Sequence, residues 1–179
     1  GLSTGMLFIC VGIIYNRRHT REISEFGGLA KVMPIFTVFF GIAMFASVGL
    51  PGLNGFVGEF MTLIGAFTST VLNNIWYAVI ATTGVIFAAC YLLWMFGRIM
   101  FGALNNDKNK GLTDLNKIEW AMLIPLTIFI VWLGVYPSTF MSKSEVSTKQ
   151  LVNKIERVQV EMANSGLKLQ DAQKELTKK

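Results

Sequence analysis

Long apolar runs alternate with short polar stretches along this chain. Residues 1–16, 32–97 and 120–142, 105 positions in all, hold a single Lys, Arg, Asp or Glu, which is Glu59. The other 26 charged residues crowd into the remaining 74 positions. Charge-free runs of this length point to helices solvated by lipid. The first runs over residues 1–15. It would rise about 22 Å against roughly 30 Å of hydrocarbon, so it reads as a helix cut at its N-terminal end and the chain as a fragment. The second run, 32–70, would be nearly 60 Å long as one helix, more than a bilayer needs. Its middle, from Gly49 through Pro51 and Gly52 to Gly55, explains the excess. Three glycines and a proline in seven residues break a helix, and Pro51 cannot donate to the Ser47 carbonyl. Two half-helices are expected, about 33–48 and 56–70, with Pro34 near the first start, where a missing N–H costs little.

A third helix is expected over about 75–101, with Arg98 at its end able to snorkel. A fourth is expected over about 117–136, opened by a capping box of Asn116 and Glu119, kinked at Pro125 and ended by Pro137. Trp120, Trp132 and Tyr136 lie towards its ends, as membrane interfaces favour. The body thus covers 1–141 and a tail covers 142–179. The tail holds 13 charges in 38 residues. Val152, Ile155, Gln159 and Met162 give it a weak helical stripe, Ser165-Gly166 is expected to end that helix, and a second short one follows. A solvated tail is the default, and a docking element on a partner stays open. The fold class is all-α: a polytopic membrane protein fragment of about four transmembrane helices, the first truncated and the second discontinuous.

Composition sharpens this picture. Apolar residues make up 53% and charged residues 15%, well below the roughly 25% of a soluble domain. Disorder, a disulfide-stapled secreted domain and a water-soluble enzyme are excluded or improbable. The net charge of +5 would point to nucleic acid in a soluble protein, but here the cations flank apolar runs, so the partner is the lipid bilayer and not nucleic acid. Loops 16–31 and 98–117 carry four Lys or Arg each, and 69–74 carries none. If the broken helix crosses once, both basic loops share the cytoplasmic face and the tail goes to the other side. A hairpin at 49–55 would place the basic loops on opposite faces. Cys10 and Cys90 both read as buried packing thiols. His19, the lone histidine, reads as a surface or headgroup residue. Gly1/Gly5 and Gly84/Ala88 have the small-xxx-small spacing of close helix packing.

Glu59 is the candidate for chemistry. A carboxylate at membrane depth costs a few kcal/mol even on insertion-based scales, so it requires a reason. It stands just past a helix break, where freed backbone carbonyls and N–H groups form transporter ion sites. Burial favours its neutral acid and the half-helix N-terminus favours its anion, so the group can exchange protons. Around it, Ser47, Pro51, Asn54, Gly55 and Thr62 are supporting candidates. The glycines and Pro51 shape the backbone. Asn54 caps the second half-helix or lines a polar path, and Thr62 lies one turn beyond Glu59. Ser47, Thr82, Thr83 and Tyr91 offer hydroxyls that hold water or bond between helices. No dinucleotide fingerprint, P-loop, metal cluster or nucleophile triad is present.

The run Gly1 to Tyr15, then Arg17 to Ile23, Gly27 to Ala30 and Met33-Pro34, resembles the antiporter-like subunits of respiratory complex I. Ala46 to Gly52, with Asn54 to Phe60, is similar to their second discontinuous helix. Glu59, where relatives of the L and N type have Lys, points to the M type. Leu53 departs from the small hydroxyl residue of the pattern. The resemblance covers roughly residues 1–140 and does not reach the tail. It implies the C-terminal third of a fourteen-helix subunit, with Glu59 ending a hydrated axis and handing protons towards the exit side. It implies other complex I membrane subunits as partners and a bacterial inner membrane. No cofactor is expected in this chain, since quinone and NADH are bound by other subunits. The chain would serve an NADH:quinone oxidoreductase without holding a redox site, and the family's other key residues, a Glu and lysines on earlier helices and a His just ahead of Gly1, lie outside it. Two rivals remain: a subunit of a multisubunit sodium/proton antiporter, and a structural scaffold in which Glu59 is a packing acid.

Overall fold

The computed structural model describes residues 1–69 and 74–176, and at 144, 159 and 162–176 it describes the backbone alone. Seven helices follow in order: α1 Leu2–Arg18, α2 Pro34–Val48, α3 Asn54–Thr68, α4 Trp76–Met100, the short α5 Asp107–Lys110, α6 Lys117–Val135 and α7 Ser138–Leu176. Two 3-10 turns, Ile23–Glu25 and Leu29–Lys31, shape the loop between α1 and α2. No strand occurs among the described residues.

α1 runs three residues past its expected end. Arg17 and Arg18 stay helical because cations suit a helix C-terminus and their heads find partners in the loops. His19 then closes the helix in the left-handed region (φ 52°), its amide donating to the Tyr15 carbonyl. The connection expected at 69–74 falls partly on 70–73, outside the described residues, as does residue 70 of the second half-helix.

Residues 1–137 form one compact unit. α1 packs on α2 and α6, α2 on α4, and α3 on both α4 and α6. The centre is apolar: Met6 and Cys10 from α1, Phe36 and Phe40 from α2, Met100 from α4, and Leu123 and Ile130 from α6 are all fully or almost fully buried. The outside is equally apolar. α4 and α6 are long and apolar enough to cross a membrane, yet only 6% and 17% of their most apolar stretches are buried. The core helix of a water-soluble protein would be covered. Ile80, Phe87 and Tyr91 project outward from α4, the arrangement of helices whose solvent is lipid. Cys90 is exposed on α4, so the expectation of two buried thiols holds for Cys10 alone.

The two basic loops meet on one face. The Gly28 amide donates to the Phe101 carbonyl (3.1 Å), and Arg18 Nε donates to Asn109 Oδ1 (2.7 Å). Asn109 is fully buried, and its amide reaches the Glu25 carbonyl (2.9 Å). A hairpin at the break would have kept these loops apart.

The second unit is α7, which begins at Ser138, four residues ahead of the expected tail. It is one helix through Ser165 and Gly166, not two. A lone interior glycine costs a helix about 1 kcal/mol relative to Ala, and no proline follows to stop it. Val152 and Ile155 of the expected stripe are exposed. Gln159 and Met162 lie outside the described side chains.

Candidate functional site at the break between α2 and α3

α2 ends where only glycine ends it comfortably. Gly49 is left-handed (φ 83°), and the amides of Gly49 and Leu50 both donate to the Phe45 carbonyl, a left-handed glycine ending the helix. Pro51 and Gly52 (φ 91°) carry the turn, and the Leu53 amide closes it on the Leu50 carbonyl (3.1 Å). α3 then starts at Asn54, two residues earlier than expected.

The turn is crowded by design of sequence. A Cβ placed on Gly49 would run into the Glu59 carboxyl group, whose Cδ lies 2.9 Å from that point. The half-buried Glu59 side chain therefore lies against the end of α2, across the break from its own helix. A Cβ on Gly55 would strike the Ala46 carbonyl oxygen, so the first turn of α3 crosses the last turn of α2 backbone to backbone. Among the described residues no cation pairs with Glu59.

The other candidates fall out differently. Asn54 is not the cap. Leu53 holds the extended N-cap conformation (φ −116°, ψ 158°), so Asn54 is already helical and cannot reach back to the first free amides. Its Oδ1 is buried without a hydrogen-bond donor. Ser47 spends its hydroxyl on the Ala43 carbonyl (2.9 Å) and Thr62 on the Gly58 carbonyl (2.8 Å). Thr82 and Thr83 likewise bond within α4, to Ala78 and Ile80, and Tyr91 is exposed. The break thus gathers Glu59, Gly49, Gly55 and Asn54, while each of these Ser and Thr hydroxyls bonds to its own helix. Gly1, Gly5 and Gly84 have open space where a Cβ would stand, so the small-residue spacings are not close contacts within this chain. Among the described residues no group of three or more His, Cys, Asp or Glu could hold a metal ion.

Sequence reasoning missed a polar clamp on the loop face. Arg17 uses all five of its N–H groups. Two grip the Glu119 carboxylate (2.6 and 2.7 Å), and three reach the carbonyls of Thr113, Ile13 and Asp114 (3.0, 3.1 and 3.1 Å). Glu119 also accepts from the Asn116 amide, completing the expected capping box at the start of α6. Asp114 caps a different helix: its carboxylate accepts from the amides of Ile35 and Phe36 at the start of α2 (2.9 and 3.0 Å). A second missed residue is Gly134 of α6, against which the turn at Gly52 and Leu53 is packed.

The sequence has named relatives. Residues 1–86 match the family described as NADH:quinone oxidoreductase/Mrp antiporter, transmembrane. Over 138 residues the chain is 47% identical to NADH-quinone oxidoreductase subunit M of Rhodobacter capsulatus, covering 77% of this chain and 26% of that protein. It is 39% identical over 155 residues to NADH-ubiquinone oxidoreductase chain 4 of Chondrus crispus, covering 87% of this chain and 31% of that protein. It is 38% identical over 152 residues to the corresponding chain of Marchantia polymorpha, covering 85% and 30%.

Over most of its length the chain is similar to the M and chain 4 proteins of this kind.

The matched stretch spans less than a third of the length of these relatives of the M and chain 4 type. The apolar exterior of α4 and α6 agrees with this likeness: the fold is that of a multi-pass membrane protein. The family match takes in α1, the basic loop, the break and Glu59.

Proposed function

We propose that this chain forms part of the antiporter-like M subunit of an NADH:quinone oxidoreductase, with Glu59 passing protons at the break between α2 and α3. The observation that carries the reading is the Glu59 carboxyl group lying against left-handed Gly49 at the end of α2. A carboxyl at that point faces a helix end and a turn, where backbone polar groups and an unbonded Asn54 oxygen can order water. Proton transfer along such a path needs a group that both accepts and donates, and a carboxyl does so without a metal or a redox centre. The partners are the other membrane subunits of the complex and the bilayer, and NADH and quinone are handled by other subunits. The meeting of the two basic loops supports a single crossing by α2 and α3 together, with loops 16–31 and 98–117 on the cytoplasmic side of a bacterial inner membrane and α7 opposite.

Glu59→Gln in the whole protein tests the relay. Proton translocation is lost while the complex assembles, and Glu59→Asp retains part of it. Wild-type translocation by Glu59→Gln at normal assembly would make Glu59 a packing acid and the chain a scaffold. The family description also names Mrp antiporters. A native assembly purified without any quinone reductase subunit would move the chain to that sodium/proton class.

A further inference from the structure

We propose that Gly134, on α6, is a positioning residue for Glu59. The inference rests on the relay reading of Glu59 and adds to it the element that holds the break in shape.

A Cβ built on Gly134 would collide with the carbonyl group of Gly52 and stand 2.5 Å from the Cα of Leu53. All of these are backbone atoms, which cannot swing aside as the end of a flexible side chain could. The turn they belong to is bonded at both ends. Leu53 donates to Leu50, and Leu50 and Gly49 donate to Phe45. A push on Gly52 is therefore passed to Gly49 on one side and to Asn54 on the other. Gly49 is the residue the Glu59 carboxyl group touches, and Asn54 begins the helix that carries Glu59. Nor can α6 slide away to relieve the push. Its first turn is held by the Asn116–Glu119 capping box, and Glu119 is gripped by Arg17. The bare backbone at Gly134 is thus a seat: the break rests on it, and the height of the seat sets where the carboxyl group stands.

The test uses the whole protein assembled in its native membrane, reading protons translocated per quinone reduced across a series of pH values. Gly134→Ala is compared with Gly12→Ala, where the added methyl meets nothing within 4 Å. Gly134→Ala lowers translocation roughly tenfold or more, the usual consequence of a misplacement near 1 Å. It also displaces the pH optimum by about one unit. Gly12→Ala does neither. A Gly134→Ala protein that assembles and keeps the wild-type pH profile overturns the proposal. If Gly134→Ala fails to assemble, Leu53→Gly decides: it loosens the same seat without adding an atom. A displaced profile then supports the proposal and a wild-type profile overturns it. Glu59→Gln is measured alongside. If it translocates like the wild type, the relay reading fails and the positioning role falls with it. If it is silent while Gly134→Ala keeps the wild-type profile, only the positioning role fails.

Discussion

Arg17 and Glu119, 102 positions apart, meet in a two-pronged ion pair of 2.6 and 2.7 Å, with side chains only 14% and 9% exposed. An ion pair so covered is worth little as a pair and much when halved, because the survivor is left charged and unpaired. Arg17→Ala therefore destabilises the protein by about 3–5 kcal/mol, read as an earlier thermal unfolding of the detergent-solubilised subunit. Arg17→Ala combined with Glu119→Ala is less damaging than the sum of the two single changes. Strict additivity would show that the two groups do not act as a pair.

Asp114 supplies the cap that the sequence of α2 lacks. Met33 precedes the helix and offers no side-chain acceptor, so the amides of Ile35 and Phe36 depend on a carboxylate from a loop 78 and 79 residues away. Asp114→Ala costs about 1 kcal/mol as a lost cap, and Asp114→Asn less. Hydrogen exchange at Ile35 and Phe36 checks this: faster exchange in Asp114→Ala confirms the cap, and unchanged exchange removes it.

Gly49 and Gly52 are both left-handed and should respond differently. A side chain at either position costs roughly 1–2 kcal/mol in backbone strain. At Gly52 a Cβ meets nothing within 4 Å, whereas at Gly49 it meets the Glu59 carboxyl group. Gly52→Ala is expected to lower stability modestly and leave proton translocation near wild type. Gly49→Ala is expected to do both kinds of damage. Equal translocation in the two variants would detach Gly49 from the site.

Asn109 stands at the centre of the loop contact, fully buried, accepting from Arg18 and donating to the Glu25 carbonyl. Its replacement by Ala takes the acceptor from the Arg18 Nε–H, leaves the Glu25 carbonyl with Asn106 alone, and costs about 1–3 kcal/mol. Protease cleavage within residues 16–31 should quicken in Asn109→Ala membranes, and wild-type cleavage would show that the loops hold without it.

What the sequence made visible and what it hid divide along a physical line. The break at Gly49–Gly55 was legible because proline and glycine act on their own backbone. The Asn116–Glu119 box was legible because its members are three residues apart. The clamp of Arg17 on Glu119 was not. Nothing local distinguishes Arg17 from Arg18 or Arg21, and its partner stood in a capping box that already explained it. Asp114 was hidden for the same reason, since a cap borrowed from a distant loop leaves no mark beside the helix it serves. Gly134 looked like one more small residue in an apolar helix, and only its neighbour across the fold gives it meaning. Asn54 was misassigned by one residue, because the chain turns helical just after Leu53 and an N-cap role depends on that register. At Ser165-Gly166 a weak local break lost to the helix propensity on either side.

Asp114 has a mechanical consequence. α2 is fastened at its Pro34 end by that carboxylate and terminates, about 22 Å away, in a turn of glycines. That turn lies against Gly134, so α2 is tied to one neighbouring stretch of chain at both ends, to Asp114 just ahead of α6 and to Gly134 near its close. The two helices are thereby coupled like the sides of a ladder between two rungs, and the carboxyl group stands at the second rung.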